Sequence, residues 1–415
     1  MIEQNDVEDR ESENGGPSHL RDLLGSTAPA LIPVPRPAFQ AWHRPRKQYV
    51  RSDQWLPEML NLVDTFVVPE DEFRYLSLPG DDFLDIRYIH DNLCLEKEKR
   101  IRFLGFNRAV NNNGMHAATI NTNLDAIRRL QRVDVRSDVL GQDLRTVGRV
   151  NSAPRKVVQR FGSFHAINID LCDGFAKDGA GNVNPNLFDV LQVLLEAQTR
   201  TVNDSLLFIT SRIDSNQTSD EIQKIFTDVI QNNIEGCPPF ASAIALQWPN
   251  LDSVDHFAQL SGEDLFVLGI TKYIISQASK FRLDVVLKSV LTYRVQPLAE
   301  KDDIVSLAIR LHPNRETGED PYQLARHAHA VSNVSAECRA EAKIPARVRN
   351  QKSIDSKLSE DAALRARCID ETEKLLGATG YDIASYRAWL SQKELTTATN
   401  TTSTRCHRVC VEEDK

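Results

Sequence analysis

Apolar and polar positions along the middle of the chain form short blocks that predict strands separated by helices. Apolar runs of four to eight residues between turn residues are typical of strands, and apolar residues three or four apart are typical of helices. AINID (166–170) has the first pattern, and NPNLFDVLQVLLEAQTR (184–200) has the second. We predict strands at about 73–78, 100–106, 135–140, 164–170 and 205–211.

Helical patterns follow these strands, and the alternation sets the fold class. They lie at about 81–93, 115–133, 153–162, 184–200 and 219–233. Strands that alternate with helices form parallel βα units, so we predict an α/β fold with a doubly wound, mostly parallel sheet. Two more strand patterns, at 290–296 and 304–311, flank the charged turn PLAEKDD and predict a C-terminal antiparallel hairpin.

The composition of the chain ends differs from that of the middle. Residues 1–30 are charged and poor in large apolar side chains, as disordered segments are. No internal repeat is found. The predicted organisation is a disordered tail (1–30), a basic and aromatic arm with a helix (31–70), a Rossmann-like domain (71–315), a helical extension (316–392) and a flexible tail (393–415).

Charge and cysteine content exclude several classes of protein. The net charge of −8 does not favour nucleic-acid binding by the molecule as a whole. No apolar run approaches the roughly 18 residues of a membrane span, and the acidic N-terminus is unlike a secretory signal, so we predict a cytoplasmic protein. The seven cysteines form no CxxC pair, and the CHRVC stretch (406–410) lacks the four ligands of a zinc site. We therefore expect reduced thiols and no metal site.

One basic stretch stands out in this acidic chain. AWHRPRKQYVRSDQW (41–55) interleaves aromatic rings with the cations Arg44, Arg46, Lys47 and Arg51. Cations for phosphates and rings for stacking predict a nucleic-acid contact through residues 42–55. The alternative is an arm that packs its rings on the core and leaves its cations in solvent. Pro45 predicts an arm rather than a helix here, with the helix beginning near Ser52.

Polar residues follow the predicted strands at positions where a doubly wound sheet binds ligands. They are Gly80, Asp81, Asn107, Asp143 and Asp170. Five βα units closed by a hairpin, with polar strand ends, resemble the seven-stranded class I S-adenosylmethionine-dependent methyltransferases. The resemblance covers about residues 70–315.

The resemblance implies S-adenosylmethionine as the cofactor and a role for each strand end. Gly80 and Asp81 match the loop beneath the methionine part of the cofactor, with one glycine where the family has several. Asn107 stands where the family usually has a carboxylate for the ribose, and Asp143 stands at the adenine position. Asp170 and Asp173 lie in the catalytic position, where DLCDG lacks the prolines and aromatic ring of the enzymes that methylate base amino groups.

Two functions remain open on these residues. The first is a methyltransferase that acts through Asp170 on an unidentified acceptor, with nucleic acid as one candidate. The second is a catalytically degenerate binding or interaction protein, for example within a bacterial defence or modification system. Cys172 raises covalent catalysis as a further alternative, but Leu171 replaces the proline that precedes such a nucleophile. We therefore expect Cys172 only to pack.

Overall fold

One eight-stranded sheet organises the computed structural model, which describes residues 38–111, 115–177, 186–214, 217–249, 260–296, 301–314 and 335–391. The strand order is β3-β2-β1-β4-β5-β7-β6-β8. In chain order the strands are β1 (Glu72–Ser77), β2 (Arg100–Phe106), β3 (Asp138–Leu140), β4 (Ala166–Asp170), β5 (Ser205–Arg212), β6 (Leu283–Tyr293), β7 (Ile304–Pro313) and β8 (Lys352–Ser353).

The pairing of the strands confirms the predicted fold class. Strands β1 to β5 are parallel to one another. Strand β7 runs antiparallel to both β5 and β6, so the hairpin closes the sheet as predicted. Five parallel strands followed by this hairpin are the plan of the class I methyltransferase fold, to which β8 adds a short parallel edge.

Helices cover both faces of the sheet. They are α1 (Pro45–Tyr49), α2 (Leu56–Asp64), α3 (Leu84–Ile89), α4 (Met115–Arg128), α5 (Ala153–Phe161), α6 (Leu187–Gln198), α7 (Asp220–Gly236), α8 (Pro238–Gln247), α9 (Gly262–Lys280), α10 (Ala336–Glu341), α11 (Ile344–Arg349), α12 (Ile354–Glu360), α13 (Ala362–Ala378) and α14 (383–391). Side chains cap several N-termini: the Asn186 amide oxygen accepts from the backbone of α6, and Ser219 and Ser261 do the same for α7 and α9.

The alternation along each strand divides the core into two layers. In β1, Phe73 and Tyr75 pack with α2, α3 and α4, whereas Leu76 packs with α6, α7 and α9 on the other face. Both faces of a parallel sheet must be buried, which explains why the strand sequences are nearly continuous apolar runs. Polar side chains therefore concentrate at the strand ends.

The prediction that Pro45 would keep this segment from being helical is wrong. Pro45 is the first residue of α1, where its missing N–H needs no partner and its fixed φ suits the helix. The chain continues through a π-helical turn, Val50–Trp55, into α2. The basic stretch is therefore mostly helical, and the helix begins seven residues before the predicted Ser52.

Other boundaries also differ from the predicted ones. Strand β6 begins at Leu283, earlier than the predicted 290, and β3 has only three residues. No element was predicted for α8 or α9, and β8 was missed because two residues carry no periodicity. The predicted tails 1–30 and 393–415, with the CHRVC stretch, lie outside the described residues, and the predicted domain boundaries remain predictions.

The expectation of unpaired thiols is wrong for one pair. Cys237, at the start of α8, forms a disulfide with Cys338 of α10, with 5.7 Å between their Cα atoms. This bond joins the helices after β7 to those that cover the sheet. Within the described residues, no helix is both long enough and apolar enough to cross a bilayer.

Candidate functional site

The loop after β1 lies beside the loop after β2, at the carboxyl edge of the sheet. The Asn107 amide donates a hydrogen bond to the Pro79 carbonyl (2.9 Å), and its oxygen accepts one from the Ala109 N–H (2.9 Å). Asn107 therefore holds the two loops together, and both polar groups of its side chain already have protein partners. A Cβ atom on the exposed Gly80 would lie 3.9 Å from the Trp42 ring nitrogen.

The other predicted cofactor residues also have structural partners. Asp143 caps a short helical turn by accepting from the Arg145 N–H (2.9 Å), and it pairs with the Arg145 guanidinium (3.1 Å). The Asp81 carbonyl accepts from the Asn123 amide (2.8 Å). The structure thus brings Gly80, Asp81 and Asn107 together around the end of β1, with Asp143 one strand beyond β2.

Asp170, at the tip of β4, forms an ion pair with Lys47 of α1. Lys47 Nζ lies 2.6 Å from Asp170 Oδ1 and 4.6 Å from the centre of the Trp55 ring. The Lys47 side chain is 6% exposed and that of Asp170 is 27% exposed. Burial lowers the pKa of Lys47, and the charge and hydrogen bond of Asp170 partly oppose that shift. The carboxylate predicted to serve chemistry is thus held by a cation.

Arg51 lies one helical turn after Lys47 and is buried without a carboxylate partner. Among the described residues, no carboxylate oxygen lies within 4.0 Å of the Arg51 guanidinium nitrogens, the distance limit for an ion pair. Its two hydrogen bonds are long, 3.5 Å to Gln48 Oε1 and 3.4 Å to the Trp42 carbonyl, and its Nε has no acceptor. Burial lowers the pKa of Arg51, and the more distant charges of Asp85 and Asp170 act against that shift.

A buried polar layer lies beneath these cations. The Asn168 amide donates to the Tyr75 hydroxyl (2.9 Å), which donates to Asp85 Oδ2 (3.1 Å). Asn168 lies opposite Ser77 in the sheet. Burial raises the pKa of both Tyr75 and Asp85. The amide oxygen of Asn168 and the hydroxyl of Ser77 are fully buried and have no protein partner among the described residues.

The placement of the basic stretch matches neither interpretation in full, because two of its four cations are buried and two are partly exposed. Lys47 and Arg51 are 5% and 4% exposed, so they face inward rather than into solvent. Arg46 pairs with Asp355 of α12, and the Arg44 guanidinium lies 5.6 Å from the centre of the Trp389 ring. Arg44 and Arg46 are partly exposed, and a nucleic-acid contact through them remains a prediction.

The C-terminal helices hold the N-terminal helix over the strand ends, which sequence reasoning missed. Asp53 pairs with Arg367 of α13 (2.7 Å), and the Tyr386 hydroxyl donates to the His43 carbonyl (2.6 Å). Tyr381 donates to Asp82 (3.0 Å) in the loop after β1. These partners lie about 300 residues apart in the chain, and no local pattern indicates such pairing.

Asp173 and Cys172 occupy the outer part of the DLCDG turn. The Asp173 side chain is 59% exposed and lies 3.7 Å from Lys177. Cys172 is exposed rather than packed in the core as expected. Partial desolvation of its sulfur and the charge of Asp170 raise the pKa of the Cys172 thiol, which disfavours the thiolate that covalent catalysis requires.

A cavity of about 450 Å³ lies farther along the same edge, beyond β5. Its walls include Phe226, Phe266 and the acidic residues Asp214, Glu263 and Asp302. Burial, together with the charges of Asp264 and Asp302, raises the pKa of Glu263 to about 7. None of the residues that line this cavity is among the site residues predicted from the sequence.

Comparison with solved structures finds low overall similarity to two proteins whose descriptions mention S-adenosylmethionine. A candidate class I S-adenosylmethionine-dependent methyltransferase from Listeria monocytogenes aligns over 75% of this chain and 73% of its own, at 11% identity and a TM-score of 0.35. Trm1 from Pyrococcus horikoshii, solved with S-adenosyl-L-methionine, aligns over 65% of this chain and 56% of its own, at 11% identity and a TM-score of 0.32. The fold assignment rests on the strand order, because scores this low add no argument.

Sequence comparison assigns the family. No curated protein matches the sequence. Residues 36–391, which include the whole sheet, the helices around it and the basic stretch, match the family described as PP_RS20740-like. The chain belongs to the PP_RS20740-like family.

Proposed function

We propose that this protein binds S-adenosylmethionine at the carboxyl edge of β1 to β4 and transfers its methyl group to an acceptor brought to Asp170. The observation that carries the proposal is the strand order, in which five parallel strands closed by a hairpin place Gly80, Asn107, Asp143 and Asp170 on one edge. Ligands of doubly wound sheets bind at this edge, close to the reversal of strand order between β1 and β4.

The buried polar atoms near this edge fit such a cofactor. Arg51 Nε is a donor without an acceptor, and Asn168 Oδ1 is an acceptor without a donor among the described residues. Buried polar atoms are normally hydrogen-bonded, so each of these atoms suits a polar ligand group. The cofactor supplies a methyl group on a sulfonium, and it leaves as a neutral thioether.

The residues at the edge would divide the work of binding and orientation. Asn107 keeps the loop after β1 against the loop after β2, which leaves Gly80 exposed toward the ligand side. Asp170 would orient the acceptor and hold its proton, because a carboxylate is a hydrogen-bond acceptor when ionised. Lys47 would hold Asp170 in position through their ion pair.

Calorimetric titration with S-adenosylmethionine and with S-adenosylhomocysteine tests the binding step. We expect heat of binding from both ligands at up to millimolar concentration, with a rise in melting temperature. Adenosine monophosphate is the control for a general nucleotide site. If neither adenosyl ligand gives heat or a thermal shift, the proposal fails.

A binding protein without methyl transfer is the second candidate. The Lys47–Asp170 ion pair favours it, because Lys47 occupies the carboxylate that an acceptor would approach.

Cofactor carrying a labelled methyl group separates the two candidates. Incubation with RNA, DNA and cell protein should label one of these classes in the first case, and Asp170→Asn should abolish the label. Cys172→Ser should leave the label unchanged. Cofactor binding with no label in any class would favour the second candidate.

Nucleic acid is the acceptor class that we propose to test first. Arg44 and Arg46 are partly exposed; Arg46 lies on the helix that also carries Lys47, and Arg44 directly precedes this helix. A cation near a strand edge can contact a phosphate while the acceptor group enters the site. Label in RNA or DNA that is lost in the Arg44→Ala/Arg46→Ala variant would support this acceptor, and label only in protein would exclude it.

A further inference from the structure

We propose that Lys47, Arg51, Asp85 and Asp170 form a clamp for the two opposite charges of an amino-acid group, which we call the zwitterion clamp. The inference rests on the proposed function, since the amino-acid group is that of S-adenosylmethionine. It assigns the carboxylate of that group to Arg51 and the ammonium to Asp85 and the nearby Asn168 amide, while Asp170 keeps its ion pair with Lys47.

The first argument is the unusual state of Arg51. A buried charge without a partner costs several kcal/mol, and proteins normally pair it. Arg51 is 4% exposed, its Nε has no acceptor among the described residues, and its two hydrogen bonds are 3.4 and 3.5 Å long. A guanidinium offers five N–H donors in a planar fork that matches a carboxylate. A carboxylate is therefore the ligand group that Arg51 fits.

The second argument is the charge balance around Arg51. Two cations, Lys47 and Arg51, interact with two carboxylates, Asp85 and Asp170. An added phosphate or a lone carboxylate would leave this buried cluster negatively charged. An added cation would leave it positively charged. A zwitterion adds no net charge and can pair with both sides, which distinguishes it from the nucleic-acid phosphate suggested by the sequence.

The third argument is that the free acceptor lies on a hydrogen-bonded chain that ends at Asp85, whose charge acts on Arg51, the residue with the free donor. Asn168 Oδ1 lacks a donor, while the same amide donates to Tyr75, whose hydroxyl donates to Asp85. Asp85 in turn interacts electrostatically with Arg51, whose Nε lacks an acceptor. An ammonium has three donors and would suit Asn168 and Asp85, whereas a carboxylate has only acceptors and would suit Arg51.

The helix geometry explains how both cations reach the clamp. Lys47 and Arg51 are four residues apart, so their side chains leave the helix on one face. Their like charges repel, and this repulsion contributes to the lowered pKa of Lys47. Two cations in one buried region are unfavourable without anions. A bound carboxylate would compensate the positive charge that Asp85 and Asp170 do not neutralise by direct contact with Arg51.

Calorimetry with four related ligands tests the clamp. S-adenosylhomocysteine carries both charges, S-adenosyl-3-thiopropylamine lacks the carboxylate, 5′-methylthioadenosine lacks both charged groups, and free methionine lacks the nucleoside. For the wild-type protein we expect S-adenosylhomocysteine to bind at least tenfold tighter than S-adenosyl-3-thiopropylamine or 5′-methylthioadenosine. The ratio of the affinities for S-adenosylhomocysteine and S-adenosyl-3-thiopropylamine measures the preference for the carboxylate. Arg51→Gln should remove this preference and change the affinity for 5′-methylthioadenosine less than twofold.

Two further variants serve as controls for the test of the clamp. Arg46→Gln removes a partly exposed cation of the same helix and should leave the preference unchanged, and Arg51→Lys should keep part of it. Melting temperatures identify variants that fail to fold.

If all four ligands fail to bind the wild-type protein, the proposed function fails together with the clamp. If the adenosyl ligands bind and Arg51→Gln keeps the wild-type preference, only the clamp is overturned. Tight binding of methionine alone would support the clamp and assign it to a free amino acid.

Discussion

Lys47 Nζ lies 2.6 Å from Asp170 Oδ1, and this ion pair joins the N-terminal helix to the tip of the fourth strand. The two residues are 123 positions apart in the chain. The pair makes the basic stretch part of the strand-end site, and it gives Asp170 a structural role beside any chemical one.

The structural role of Asp170 is open to measurement by a double-mutant cycle. Asp170→Asn leaves Lys47 buried without a counter-charge, so we expect a loss of about 2–4 kcal/mol in the free energy of unfolding. Lys47→Met leaves a carboxylate that is 27% exposed and should cost less, about 1–2 kcal/mol. The double variant should recover about 1 kcal/mol or more relative to the sum of the single losses.

Urea unfolding of the four proteins provides these values. Strict additivity would contradict an energetically coupled pair. The same double variant separates stability from chemistry: if it folds like the wild-type protein and still transfers no methyl group, the loss of activity comes from the removal of these two side chains and not from unfolding.

The inward orientation of Lys47 and Arg51 predicts a split among the four cations of the basic stretch. We expect Arg44→Ala/Arg46→Ala to weaken any binding of DNA or RNA and to reduce its salt slope by about two, one for each lost phosphate contact. Lys47→Met and Arg51→Gln should leave nucleic-acid affinity unchanged, because their side chains do not reach the surface. Titrations at several salt concentrations measure both. A weaker salt dependence in the second pair of variants would contradict the split.

The raised pKa of Glu263 predicts that stability depends on pH through this group. Its pKa is about 7 in the folded protein, above the ordinary value of 4.5, so the folded state binds the proton more tightly than the unfolded state. Its contribution to stability is therefore complete below about pH 4.5 and is lost as the pH rises through about 7.

Replacement of Glu263 by Gln should remove this dependence. We expect Glu263→Gln to unfold at a higher temperature than the wild-type protein at pH 8, by an amount that reflects about 1 kcal/mol after allowance for partial solvent exposure. The two proteins should differ little at pH 4.5. Thermal melts across this range give the comparison, and a constant difference at all pH values would assign the effect to packing instead of protonation.

The disulfide between Cys237 and Cys338 predicts a redox-dependent stability. The two cysteines are 101 residues apart, and a cross-link over a loop of this length removes much conformational freedom from the unfolded chain. We expect Cys237→Ser/Cys338→Ser to lower the free energy of unfolding by about 2–4 kcal/mol under oxidising conditions. Reductant should have the same effect on the wild-type protein. Cys172→Ser, at an exposed unpaired position, is the control.

Peptide mapping without reductant provides the direct check on the disulfide. A cross-linked peptide that contains Cys237 and Cys338 is the expected product. A protein that yields both cysteines as free thiols, and whose stability does not respond to reductant, would show that this bond does not form.

The class of the fold follows from the sequence, because strand and helix periodicities are local properties of the chain. Strand β2 runs from Arg100 to Phe106, the range predicted from its apolar run, and the antiparallel hairpin follows from two strand patterns around a charged turn. Polar strand ends indicated the edge where we propose that the ligand binds, since the ends of parallel strands meet on one side of a sheet.

Which charged side chains meet depends on the packing of distant segments. The sequence shows Lys47 and Arg51 as cations but does not show whether they face solvent or the interior. Packing against β4 and the C-terminal helices turns them inward. Pro45 is compatible both with an extended arm and with the first turn of a helix, and the contacts of α1 selected the helix. The Cys237–Cys338 bond and the Asp53–Arg367 pair likewise join distant segments. Local periodicity determines which elements form, whereas the partner of a buried charge depends on contacts between distant segments, which no local pattern encodes.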